Sequence, residues 1–421
     1  MKTYQLDNRL KATTEKGWHP DGTAAVKTAV RNQVALNKYT LWVILASATL
    51  TVMAGSIIAP VLNLIREGLG VDPASVGLII TTHGLFVALS SPVIGNVIDR
   101  IGTKKPFMIG LLLYGLAGGS GLFITSYWLL IVSRAILGIA VATMLVSITV
   151  MILNLYQETE RDRIMGWRAS ANSFGGIIWP LVGGFLGGLS WHLPFTVYLL
   201  GIPLGFLALI TIPETRKQES QNPGKDGSVL KVLKNNPILV TIYGLLFLAM
   251  TLLYTIVVFL PQRLEQIDIS NPLYISLFVS TMALAAGLTS LIYGRIKSRL
   301  SYKMIVLIVL ALWTVGFITI SQWASGLVIA ASVVLFGIGL GMLVPGLMIW
   351  VGETVAISFR GRVVSYLIAF GFIGQFLSPV IMGPVSSSLG LDGVFLVAGC
   401  ICASLFLMFL LVMRKGSSKS G

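Results

Sequence analysis

Charge is scarce in this 421-residue chain. Asp, Glu, Lys and Arg make up 11% of it, against 55% hydrophobic residues, and a soluble domain carries about twice that share of charge. Carboxylates are missing from the middle of every long apolar run: all 16 Asp and Glu fall in polar stretches or at run ends. Cysteine is nearly absent. Cys400 and Cys402, both in the last apolar run, exclude a disulfide framework and read as small packing residues. The three histidines, His19, His83 and His192, give no metal-ligand spacing, and there is no nucleophile–base pair and no phosphate loop. An enzyme is not expected, nor is a cofactor or a metal ion.

What is present is apolar sequence in lengths of about 20 residues, each enough to cross a bilayer. Spans are expected near 39–64, 74–98, 106–125, 127–155, 164–189, 194–212, 237–261, 272–294, 304–321, 324–351, 363–388 and 391–413. The runs are continuous and lack the alternation of barrel strands, so the expected fold class is an all-α polytopic membrane protein with twelve transmembrane helices. The net charge of +14 does not mark a nucleic-acid partner. With the N-terminus in the cytoplasm, 27 of the 30 Lys and Arg fall inside, Arg66 and Arg263 fall outside, and Arg134 lies within a span. That is the positive-inside pattern, with both termini cytoplasmic. No cleavable leader is expected, because the first apolar run starts only at Tyr39 and is too long for one. In the polar tail before it, Val26, Val30 and Val34 are spaced for a short interfacial helix.

A repeat is hidden in the numbering. Gly95, Arg100 and Lys104 recur as Gly294, Arg299 and Lys303, an offset of 199. The same offset carries Gly138 to Gly337, Arg161 to Arg360, Arg163 to Arg362, Gly175 to Gly374, Pro180 to Pro379 and Gly184 to Gly383. The chain reads as two parallel six-helix repeats, because both copies start on the same side of the membrane. The expected domains are a cytoplasmic tail at 1–38, a six-helix bundle at 39–212, a hydrophilic cytoplasmic loop at 213–236, a second bundle at 237–413 and a cytoplasmic tail at 414–421. The protein is expected to be a monomer.

The stretch GNVIDRIGTK, residues 95–104, joins the second and third spans. Gly95 is expected to admit a neighbouring helix closely, and Gly102 to take a turn conformation closed to other residues. Asp99 is placed to accept from a helix N-terminus or an arginine. Lys104 and Lys105 would meet anionic lipid head groups. Together these residues read as a conformational latch that holds the halves in one state and releases them in the other.

This stretch is similar to the G-x-x-x-D-R-x-G-x-K signature of the major facilitator superfamily, in Gly95, Asp99, Arg100, Gly102 and Lys104. The chain resembles that superfamily over nearly its whole length, the tail excepted. Arg134, Gly138 and Ala142 are similar to a second family motif. Gly175, Pro180, Gly183 and Gly184 look like the G-x-x-x-G-P-x-x-G-G motif of the family's proton-linked exporters, with Trp179 in place of the second glycine. The resemblance, to drug–proton antiporters of the multidrug efflux type, implies the major facilitator fold and alternating access, with two bundles rocking about a central site.

Ionisable groups inside spans are costly and therefore functional candidates. Arg134 lies about 10 Å deep and His83 about 14 Å deep at 1.5 Å per residue, with Ser56 at similar depth. The three are expected to form one polar cluster. Arg134 reads as a cavity cation for anionic groups or as a side chain that ties helices together. His83 reads as a proton carrier or as a neutral residue bonded between helices. Asn172 and Gln375 are expected to face each other across a substrate cavity with Tyr254. Tyr243, Trp167, Trp350 and Tyr366 are further candidates, and Met342, Met348 and Phe370 would supply a soft wall. The Gly175–Gly184 face, with its counterpart Gly374–Gly383, is expected to form a tight seal that bends at Pro180 and Pro379.

The expected function is secondary active transport: proton-linked efflux of small lipophilic compounds, neutral or anionic, since no mid-span acid awaits a cation. The alternative is transport of one metabolite (a sugar, organic acid or lipid) without proton antiport. A small-molecule substrate, protons as coupling ion and membrane lipids are the expected partners, in the cell inner (plasma) membrane. In the expected cycle the turn at Asp99 disengages as substrate leaves outside.

Overall fold

The computed structural model describes residues 38–73, 75–156, 158–213, 236–355 and 357–417. Val26, Val30 and Val34, nearly all of the central loop, and the last four residues lie outside the described residues. The chain divides into two units, Met1–Trp42 and Val43–Gly421. Only residues 38–42 of the first are described, as the start of a helix. All of the contacts that form the site lie in the second.

A backbone in lipid has no water to pair with, so each crossing must close its own hydrogen bonds as a helix. The helices are α1 (Lys38–Ser56), α2 (Leu62–Leu69), α3 (Gly77–Ile101), α4 (Lys104–Gly119), α5 (Tyr127–Leu155), α6 (Glu158–Gly187), α7 (Gly201–Thr211), α8 (Pro237–Glu265), α9 (Pro272–Leu291), α10 (Tyr293–Arg299), α11 (Tyr302–Gln322), α12 (Gly326–Thr354) and α13 (Ile357–Ser417). They account for the twelve expected crossings. The first crossing breaks at a 3-10 turn, Ala59–Val61, where Pro60 supplies no N–H to the ladder. The sixth begins as a 3-10 segment, Leu193–Leu200, before α7. The last two share α13, which breaks at Gly390, φ 70° and ψ −176°. Among the described residues nine segments are long and apolar enough to cross a membrane on their own. By that measure α13 counts once for two crossings, α4 is short at 16 residues, and α6 opens on a charged turn.

The outer surface of the bundle is apolar. Leu327 is 86% exposed and Leu291 79%, positions that would be a liability in water and are at home against acyl chains. Cys402 is buried and Cys400 exposed on the last crossing.

The repeat is carried into the packing. Gly138 lies so close to the His83 carbonyl that a Cβ would collide with it, and Gly337 lies in the same way on the Met282 carbonyl. Both partners of the second contact stand 199 residues beyond those of the first. Small residues let these helix backbones touch.

The two ends of the bundle differ. At the end bearing Arg66 the halves are fastened together. Arg66 Nη2 is 3.3 Å from Glu265 Oε2, Asn63 Nδ2 donates to the Pro261 carbonyl at 2.9 Å, and Ser280 Oγ donates to the Ile177 carbonyl at 2.8 Å. At the end bearing Gly102 no hydrogen bond or ion pair joins the halves among the described residues. A Cβ added at Gly95, Gly166, Gly244, Gly294 or Gly352 would meet nothing within 4 Å. This corrects the expectation for Gly95: in this state it admits no neighbouring helix. Asp99 is exposed and forms no ion pair among the described residues. Asp99 is thus without an ion pair in a state whose Arg66 end is shut.

Gly102 does meet its expectation. It caps α3 at φ 82°, ψ 178°, a region that is essentially glycine-only. Gly102→Ala is expected to cost about 1–3 kcal/mol, read as a lower apparent melting temperature in detergent. A Gly95→Ala control, inside α3 and facing nothing within 4 Å, should not lower it.

Candidate functional site

Between the halves lies a cavity of about 590 Å³, within the usual range of small-molecule sites. Ser56, Asn172, Tyr254 and Gln375 line it, with Met250, Met282 and Met348 among the apolar wall residues. Among the described residues no Asp, Glu, Lys, Arg or His is part of the lining. Helices from both halves supply these residues: α1 and α6 on one side, and α8, α9, α12 and α13 on the other.

The duplicated unit explains how an apolar bundle acquires one polar face. At the offset of 199, Tyr254 corresponds to Gly55, Gln375 to Gly176, and Asn172 to Gly371. All six line the cavity. Each large polar side chain therefore has a glycine as its repeat counterpart, which leaves the volume the side chain needs. The offset, carried through to Gly55, Gly176, Gly371 and Met282, would have found these lining residues, which sequence reading missed.

The three members of the expected polar cluster occupy separate settings. Ser56 Oγ donates to the Val52 carbonyl of its own helix at 3.0 Å and lines the cavity. His83, 3% exposed, lies behind the cavity wall, with its Nε2 3.3 Å from Gln375 Nε2. Arg134 is fully buried and is not part of the lining. It donates to the Ala117 and Gly118 carbonyls at 3.3 and 3.1 Å and to Ser133 Oγ at 3.1 Å. Its guanidinium stands 5.2 Å from the ring centroids of both Phe195 and Tyr198. No carboxylate among the described residues pairs with it. Carbonyl dipoles and ring faces take the place of a counter-charge.

Several other candidates lie away from the cavity. The Tyr243 hydroxyl donates to the Val363 carbonyl at 2.8 Å, and its ring packs 5.3 Å from Phe370. Trp350 stacks on Tyr302 at 4.8 Å, and Trp167 sits under the Arg163 guanidinium at 4.4 Å. Tyr366 is half exposed, and Met342 is buried outside the lining.

The exporter-like face of α6 packs at the closed end. A Cβ at Gly183 would fall on the Ile57 carbonyl, within the first half. A Cβ at Gly184 would stand 2.6 Å from the Pro272 carbonyl of the second half, and one at Gly175 would stand 3.2 Å from the Thr49 carbonyl. Trp179, where the motif has glycine, donates through Nε1 to that same Thr49 carbonyl at 3.0 Å. From the other half, Pro379 lies 2.9 Å from the Cβ position of Gly77.

The model of the Major Facilitator Superfamily matches residues 44–278 and 243–421. The chain belongs to this superfamily. This major facilitator is 27% identical over 397 residues to the "Bacillibactin exporter" of Bacillus subtilis (strain 168), covering 89% of this chain and 97% of that one. It is 24% identical over 377 residues to the "Multi-drug resistance efflux pump PmrA" of Streptococcus pneumoniae, covering 86% and 92%. Among solved structures it superposes on the nucleoside transporter NupG with a TM-score of 0.74 at 17% identity, over 89% of this chain and 99% of that one. It superposes on the inward-open xylose transporter XylE from E. coli with a TM-score of 0.70 at 13% identity, over 88% and 95%. The protein is a membrane transporter of the major facilitator fold, and the bilayer-length helices agree with that. Its exporter relatives and its sugar- and nucleoside-transporting structural neighbours leave the substrate open.

Proposed function

We propose that this major facilitator exports small, lipophilic, predominantly uncharged molecules by alternating access, with protons as the counter-ion. The observation that carries the reading is the cavity, bounded by both halves, shut at the Arg66 end and open at the other. The open end carries Arg100, Lys104, Lys105, Arg295, Lys297, Arg299 and Lys303, and basic residues collect on the cytoplasmic side. The state is therefore inward-facing, in the inner membrane, with both termini in the cytoplasm and the chain working as a monomer of two six-helix domains. Substrate enters from the cytoplasm or inner leaflet. The Arg66–Glu265 pair and the Gly184–Pro272 contact then part, while the turn at Asp99 engages and closes the inner end.

The neutral class is favoured because the lining holds no Asp, Glu, Lys, Arg or His among the described residues, and a charge moved there would lose its water with no opposite charge. Arg134, the cation available for an anionic substrate, is not part of the lining, and its Nε and Nη2 donate to the Ala117 and Gly118 carbonyls and to Ser133. The export-like α6 face and the exporter relatives support the outward direction.

The test is reconstitution into liposomes carrying an internal pH dye, with an imposed gradient and a panel of neutral, anionic and cationic lipophiles. Substrate-dependent proton flux, led by the neutral compounds, is the expected result. Substrate movement without proton flux would replace antiport by facilitated transport.

A further inference from the structure

Gln375 faces two ways. One side of its amide lines the cavity, yet the residue is only 3% exposed. Its other side is held across the interface between the halves. A Cβ at Gly84 would stand 2.8 Å from both Cδ and Nε2 of Gln375, so the amide lies flat on bare backbone. Nε2 meets Nε2 of His83 at 3.3 Å. The imidazole is itself wedged: a Cβ at Gly55 would meet His83 Cε1 at 3.0 Å and the Tyr254 hydroxyl at 3.4 Å. Its Nδ1 is buried without a hydrogen-bond partner among the described residues.

This arrangement fixes the direction of the bond. Gln375 places its NH2 group toward His83; an NH2 group can only donate, so Nε2 of the neutral imidazole accepts and Oε1 is left for the cavity. Among the described residues Oε1 accepts no hydrogen bond. Asn172 Oδ1, which also belongs to a lining residue, is buried without a partner. Gln375 Oε1 is thus an unpaired acceptor beside an apolar cavity, with no Asp, Glu, Lys, Arg or His among the described lining residues. The other half lacks the device: at the repeat offset Met282 stands for His83 and Gly176 for Gln375.

We propose that His83 is a positioning residue for the transport site: by accepting the Gln375 amide proton it aims Oε1 at the ligand, so that the cavity selects uncharged molecules carrying an N–H or O–H donor. A bound ligand that displaces water from this acceptor and cannot donate to it is penalised. The inference rests on the reading of this cavity as the transport site.

The test compares two neutral fluorescent probes, an N-acyl aminonaphthalene with its amide N–H and the same compound N-methylated. Binding is measured on detergent-solubilised full-length protein and flux in proteoliposomes. Wild type is expected to bind the N–H probe about tenfold more tightly. His83→Met places there the residue that the second half carries in the same packing, and is expected to bring the two affinities to within about twofold. Gln375→Leu should do the same. The double variant should discriminate no less than Gln375→Leu alone, because His83 acts through Gln375. Retained binding of the N-methylated probe reports that each variant is folded, and Gln375→Leu keeps the question open to test if His83→Met fails to fold.

The proposal is overturned if wild type binds neither probe or does not discriminate, if His83→Met keeps the discrimination, or if the two losses add. Discrimination in binding with no flux of either probe would sustain this inference and refute the transport reading.

Discussion

Gly184→Ala is expected to hold the transporter open at the Arg66 end. The new methyl would stand 2.6 Å from the Pro272 carbonyl and 2.7 Å from Ser276 Cβ. Both neighbours belong to the other half, so the contact exists only while that end is shut. A carbonyl oxygen at the start of α9 yields only if the helix moves. Overpacking of this kind costs about 1–3 kcal/mol, and about 1.4 kcal/mol is a tenfold change in population. The check is a cysteine at Ser173, which lines the cavity, in a chain with Cys400 and Cys402 replaced by serine. Labelling by a membrane-impermeant maleimide from the Arg66 side should rise roughly tenfold in the Gly184→Ala protein, and transport should fall with it. Unchanged labelling would mean that this contact does not set the equilibrium. Gly183→Ala is a different perturbation one residue away. Its methyl meets the Ile57 carbonyl within the same half, so it should lower stability in both states without favouring either.

Arg134→Ala is expected to destabilise the first half by about 3 kcal/mol or more. Three of its bonds, to the Ala117 and Gly118 carbonyls and to Ser133, involve a charged donor, each of about 1.5–3 kcal/mol. Their loss leaves two buried carbonyls without these donors, and truncation leaves a cavity under Phe195 and Tyr198. The expected readout is a large drop in thermal stability in detergent. The neutral probes that still reach folded protein should bind with near wild-type affinity, since Arg134 does not line the cavity. Full stability after the substitution would remove Arg134 from the packing role that its contacts indicate. Loss of binding with stability intact would restore it to the site. Arg134→Lys should recover only part of the stability, because an ammonium reaches fewer of these acceptors and has no planar face to set against the rings.

The sequence by itself determined the crossings, the repeat and the elements of the cavity. Apolar runs of bilayer length have one solution in lipid, a helix closed on its own hydrogen bonds, so the positions of the crossings were legible without contacts. Gly102 was legible because a motif glycine at a helix end implies a backbone angle, and φ 82° is such an angle. Asn172, Tyr254 and Gln375 were legible as cavity residues because polar side chains in a span need somewhere polar to face.

Tertiary structure alone decided three things. It gave Ser56, His83 and Arg134 different hydrogen-bond partners, since equal depth in a membrane says nothing about which way a helix face turns. It gave Arg134 carbonyls and rings as partners, which no spacing encodes because every residue has a carbonyl. It also chose the conformational state, closed at Arg66 and open at Gly95. The same sequence must support both states of an alternating-access cycle, so the pattern of residues specifies the two faces that meet, and only their packing decides which of them is in contact.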